Sequence, residues 1–279
     1  MIWLCLAVLS SSMVSVVMRL GTRRVKDNIG MLSVNYIVCA LLAAICGGLK
    51  GAFDLSGAGE GLTLMMGLIN GGFYLAGFVL MQMNIQKNGV VLSSIFQKLG
   101  LLVTLTVSVV FYREVPDLKQ CLGFVLAIMA IWLMNYQPVS GTARGVIWLI
   151  AMLLACGMAD AMSKIFMESG QMALEDRFLF YTFAMAMLLC LMVMVLKGQK
   201  IGAKEVLFGT VIAVPNFFSS KFLLGALEDL SAVVVYPVFS VGTILVVTMT
   251  GVVAFRERLS KLQWLAVAVI LTALVLLNI

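Results

Sequence analysis

The stretch 111-FYREVPDLKQ-120 lies over 254-AFRERLSKLQ-263 when the chain is shifted by 143 residues against itself. Arg113 then falls on Arg256, Glu114 on Glu257 and Gln120 on Gln263, and further along Asn135 falls on Asn278. Apolar matches mean little in so apolar a chain, but four polar coincidences at one shift mean more. Near the start of each half, a shift of 145 sets Trp3 on Trp148 and Arg19 on Lys164. The chain therefore reads as one unit used twice: a first repeat over 1–137, a linker over 138–145 and a second repeat over 146–279.

Composition supplies the solvent. Of 279 residues, 62% are hydrophobic, 11% are charged and none is His. Ordinary globular domains run near ~45–50% apolar and ~25% charged. A soluble chain of this size has no interior large enough for so much apolar surface, so the surroundings are read as lipid. About 20 apolar residues cross a bilayer as a helix. Such runs occur near 2–20, 31–49, 62–84, 90–112, 120–137, 146–168, 176–196, 206–228, 231–254 and 262–279. Backbone groups in lipid must be satisfied internally, and runs of this length do so as helices. The expected fold class is an all-α integral membrane protein of ten transmembrane helices. The first run precedes its basic residues (Arg19, Arg23, Arg24, Lys26), so it reads as a retained span and not as a signal peptide.

Five spans per unit is an odd number, so the second copy must enter the membrane from the opposite side. Inverted repeats of this kind underlie many secondary transporters, because two similar halves can exchange shapes around a shared midplane site. Two five-span halves, each with an Arg-Glu loop and a Gln-led last helix, resemble the drug/metabolite transporter superfamily, EamA-like family. The resemblance implies ten helices, a central cavity and export or exchange of small metabolites. It also implies termini in the cytoplasm. The Lys and Arg residues gather in loops after the odd-numbered spans, which by the positive-inside rule puts both termini outside.

An ionised group at the bilayer centre costs at least ~2.5–3.5 kcal/mol, so such groups face a cavity or a partner. Lys98 lies ~4–5 Å from the middle of the fourth span, and Asp160 and Lys221 each lie ~6 Å past the middle of the sixth and eighth. On that reckoning Asp160 and Lys221 share a depth and pair or flank one solute group, with Lys164 a competing partner one turn from Asp160. Lys98, placed towards the other surface, is left to meet an anionic solute or to hold helices together. Paired helix-weakening elements, Gly72 and Pro215, point to a site lined by Asn70 and Asn216. Gly67 and Gly71 allow close helix packing instead. Gln97 and Tyr236 complete the candidate substrate contacts, with Pro237 as a bend. Asn35 and Tyr36 read as interfacial, and Glu114 and Glu257 as caps or loop ion pairs.

The expected function is a secondary transporter of a small anionic or zwitterionic metabolite. Its partners would be that solute and the lipid bilayer, with a proton or counter-substrate for coupling, and it would act as a monomer or homodimer. The alternatives are an exporter of cationic or lipophilic drugs and a membrane enzyme acting on a lipid phosphate. The enzyme lacks support, since no carboxylate cluster lies in the spans and no His or Cys spacing suits a metal. No cofactor and no metal are expected. The net charge of +6 sits in short interhelical clusters, which excludes a nucleic-acid surface. The six cysteines lie in apolar runs and read as reduced packing residues. The expected location is a bacterial plasma membrane, as a multi-pass protein.

Overall fold

The computed structural model describes residues 1–22, 24–25, 28–48, 57, 59–134, 145–199, 201–255 and 260–277. Of the repeat signature, Asn135, Arg256, Glu257 and Asn278 lie outside the described residues, as does most of the 138–145 junction. The described residues form ten α-helices: α1 (Ile2–Thr22), α2 (Asn28–Cys46), α3 (Glu60–Lys98), α4 (Leu101–Tyr112), α5 (Leu118–Met134), α6 (Val146–Ser169), α7 (Glu175–Leu196), α8 (Ala203–Asp229), α9 (Ala232–Phe255) and α10 (Lys261–Leu277). Among the described residues, six segments are long and apolar enough to cross a membrane: α2, the first part of α3, α6, α7, α8 and α9.

The expected loop between the third and fourth spans is absent. α3 runs for 39 residues through it, and the chain interrupts at Leu99–Gly100 instead. The polar segment 84–88 contains no proline, so nothing in it stops a helix. Asn84, fully buried, donates from Nδ2 to Leu80 O (2.9 Å) and to Trp148 O of α6 (2.8 Å), and Asn88 donates to Asn84 Oδ1 (3.2 Å). At ~1.5 Å per residue such a helix exceeds the ~30 Å hydrocarbon thickness, while the 12-residue α4 falls short of it.

The chain divides into two compact units, one of residues 1–75 and 162–228 and one of residues 76–161 and 229–279. Each draws on both sequence repeats. In the first unit α2 packs along α7, its counterpart in the repeat. Gly67 and Gly71 of α3 close against α7: a Cβ on Gly71 would stand 2.5 Å from Thr182 O, so only glycine admits this approach. That is the packing reading of the glycine pair. In the second unit α5 packs along α10 and α4 against α9, again repeat counterparts. Their apolar seam includes Leu101, Leu105, Ala127, Ala130, Ile131, Val241, Ile270 and Ala273.

The repeat signature has a physical basis in this second unit. Asp117 and Gln120 make a reciprocal capping box at the start of α5: the Gln120 N–H donates to Asp117 Oδ1 (2.7 Å) and the Asp117 N–H to Gln120 Oε1 (3.2 Å). Ser260 and Gln263 do the same for α10, at 3.2 and 2.9 Å. Each box satisfies two orphan amides of the helix start. α4 ends on Arg113 in the left-handed conformation (φ 56°), and the Glu114 N–H returns to Ser108 O (3.2 Å). The turn brings Glu114 Oε2 to accept the Ala232 N–H at 2.9 Å, so Glu114 caps α9.

Candidate functional site

Lys98 is the last residue of α3, and the helix breaks immediately after it. Across the break the backbone tightens to i→i−3 bonds, Gly100 N–H to Gln97 O (3.1 Å) and Leu102 N–H to Leu99 O (3.0 Å). Such a stretch between two helical segments is a common form of hinge. Gly100 lies against Gly157 of α6: a Cβ added to Gly157 would stand 2.3 Å from Gly100 O. The hydroxyl of Thr104 donates to Gly157 O at 3.1 Å and pins the two segments together.

This glycine contact positions the charges. Asp160 follows Gly157 by three residues, and so lies on the same face of α6. Lys98 precedes Gly100 by two. The contact thus brings Lys98 and Asp160 to one place, with Cys156 directly before Gly157 in the chain. No N···O contact within 4.0 Å joins them. Both side chains are partly buried. From α9, the hydroxyl of Tyr236 donates to the backbone carbonyl of Asp160 at 2.6 Å. Tyr236 is 1% exposed, and Pro237 follows it inside the helix.

The EamA-like transporter family model matches residues 1–136 and again 143–279. The chain belongs to the EamA-like transporter family. It is thus a multi-pass membrane transporter of that family. An uncharacterised protein of Haemophilus influenzae is 27% identical over 203 residues, covering 71% of this chain and 69% of that protein. A crystal structure of a protein 13% identical shares the fold with a TM-score of 0.77, over 99% of this chain and 94% of that one.

In this EamA-like chain the lysines are distributed differently from the sequence-based expectation. Lys221 donates to Asp176 Oδ1 at 2.7 Å and lies 3.8 Å from Glu175 Oε1, so its carboxylate partners come from α7 and not from Asp160. Lys164, 1% exposed, pairs with Glu168 one turn later at 2.5 Å. The depth reckoning that set Lys98 apart from Asp160 treated 90–112 as one straight helix, whereas Lys98 ends a much longer one. The Gly100–Gly157 contact therefore brings Asp160 towards the lysine of the other repeat.

The expected interruptions at Gly72 and Pro215 do not form, since α3 and α8 are helical through both positions. Asn216 donates to Asn35 Oδ1 at 3.3 Å and to the Cys39 thiol at 3.7 Å. Asn35 and Tyr36 are buried and not interfacial, because α2 is enclosed on most sides even near its start; Tyr36 stacks on Phe183. Asn70 reaches Thr182 Oγ1 at 3.5 Å within the α3–α7 seam. Gln97 supplies its carbonyl to the break, and its side chain stays partly accessible. Sequence reading missed the pair between Glu60, at the start of α3, and Arg177 of α7. The signal was an acidic residue in a first helical turn, which marks a terminus and says nothing about a partner 117 residues away.

Proposed function

We propose that this protein is a secondary transporter that moves a small anionic or zwitterionic metabolite by alternating access, with Lys98 and Asp160 as the solute's polar contacts. One observation carries the reading: the Gly100–Gly157 contact brings Lys98 and Asp160 to one helix break, and no ion pair within 4.0 Å joins them. A contact ion pair would satisfy itself and serve structure. A separated pair leaves donors and an acceptor for a solute. Lys98 takes its carboxylate or phosphate, and Asp160 takes an ammonium group where there is one. Lys221 and Lys164 are occupied by other acids and drop behind Lys98 as recognition groups. The relative in Haemophilus influenzae supports placing the protein in a bacterial plasma membrane.

The test begins with a thermal-shift screen of purified protein against organic acids, amino acids and lipophilic cations. Acids or amino acids should stabilise it, and the hit should be transported by proteoliposomes. A charged hydrogen bond contributes about 1.5–3 kcal/mol, so Lys98→Ala should weaken binding roughly 10–150-fold without loss of expression. Stabilisation by lipophilic cations alone, with transport intact in Lys98→Ala, would refute the proposal and favour a drug exporter.

A further inference from the structure

The two faces of α5 differ in what they can pack against. Gly123, Ala127 and Ala130 lie on the face that meets α10, and a Cβ on Gly123 would stand 2.9 Å from Leu277 Cγ. Small residues are what let transmembrane helices approach closely. Cys121, Phe124, Val125, Ile128 and Trp132 recur at helical spacing along another face, and Trp132 is 50% exposed. Two cavities open on that face. One, of about 420 Å³, runs between α4 and the start of α5, past Thr106, Val110, Cys121 and Phe124. The other, of about 330 Å³, lies between Leu99 and the later α5 residues Ile128 and Trp132. Val125 lines both, so they continue one another along the helix as a groove.

From Cys121 to Trp132 the groove covers ~17 Å at ~1.5 Å per residue, close to one leaflet of the ~30 Å hydrocarbon core. Its inner end reaches Leu99, in the break between α3 and α4. Its outer end is the connector from α4 to α5, where Pro116 lines the wall. Arg113 follows Val109 and Val110 there by one helical turn, and Asp117 precedes Cys121 by one. Both are exposed, and neither joins an ion pair among the described residues. Glu114, between them, is turned to the Ala232 amide. Lys119, four residues before Gly123, falls on the α10 side.

We propose that this groove is a phospholipid site, holding one acyl chain along α5 with the lipid phosphate at Arg113 and a headgroup ammonium at Asp117. The lipid is therefore an aminophospholipid of the phosphatidylethanolamine type. A recess at membrane depth offers water no partners, so hydrocarbon fills it. A second copy of the chain is the weaker occupant, because the walls are bulky and lack the small residues of the α10 seam. A guanidinium matches a phosphate with paired hydrogen bonds, and the carboxylate gives the ammonium a countercharge. Charge balances at the mouth, where a zwitterionic headgroup meets one cation and one anion. The tail ends against Leu99, so a bound lipid supports the break from the membrane side.

The experiment uses the full chain, purified in mild detergent and exchanged into an equimolar mixture of phosphatidylethanolamine, phosphatidylglycerol and phosphatidylcholine. Native mass spectrometry then reads which lipid stays bound once the detergent is stripped. The expected result is a single retained phosphatidylethanolamine per monomer. Val125→Trp fills the groove from an exposed position and should lose that lipid while the protein stays folded by circular dichroism. Arg113→Gly keeps the left-handed turn without the guanidinium, and should weaken retention of all three lipids roughly tenfold or more. Asp117→Asn keeps the helix cap and should abolish the preference for phosphatidylethanolamine. Equal retention of the three lipids, a preference for another headgroup, or no retention overturns the proposal. So does retention that Val125→Trp and Arg113→Gly leave unchanged. A lipid-free dimer that Val125→Trp breaks overturns it in favour of a second copy.

Discussion

Replacing Gly157 by alanine tests the link between backbone packing and the charged pair. The added methyl would stand 2.3 Å from Gly100 O, 2.6 Å from Val103 Cβ and 2.9 Å from Val103 Cγ2. Ordinary carbon contacts need roughly 3.5–4.0 Å, so α6 and the break must part by about 1 Å or more. Overpacking of this kind costs about 1–3 kcal/mol. Parting also stretches the Thr104 bond to Gly157 O, which contributes about 0.5–1.5 kcal/mol. Gly100→Ala is milder, since its methyl meets Gln97 O and Gly157 N at 3.0 Å and Leu153 O at 3.2 Å. Gly72→Ala is the control, because nothing lies within 4 Å of its added carbon. Thermal unfolding in detergent should rank the variants Gly157→Ala, Gly100→Ala, Gly72→Ala from least to most stable, with the last near wild type. Transport or binding of the screened solute should fall in the same order, since Lys98 and Asp160 are carried apart by the same shift. A Gly157→Ala protein as stable and as active as Gly72→Ala would refute the reasoning.

Two further substitutions probe the helix starts. Glu60 is 1% exposed and paired with Arg177, so Glu60→Ala removes a buried carboxylate partner of that guanidinium; the expected result is a lower unfolding temperature that the double variant with Arg177→Met partly restores. Glu114→Ala removes the acceptor of the Ala232 amide and should cost about 1 kcal/mol, with faster amide exchange confined to the first turn of α9.

The capping boxes show how much of the repeat signature was open to direct reading. Asp117 with Gln120, and Ser260 with Gln263, are side chains that bond amides three residues away, so local spacing specifies them. The cap that Glu114 places on α9 is different. Its partner is 118 residues distant, and only the left-handed turn at Arg113 aims it there.

Composition and periodicity by themselves determined an apolar helical chain built from two copies of one unit, because a bilayer leaves the backbone no other way to bond and a repeat is visible in any string. The tertiary structure alone decided which charges meet. Lys221 and Lys164 went to acids of their own repeat, while Lys98 was brought towards Asp160 across 62 residues of chain by the Gly100–Gly157 contact. That partnership depends on two glycine backbones in contact at a helix break. Neither glycine's spacing records the other, because helix-to-helix approach is set by packing and not by local sequence.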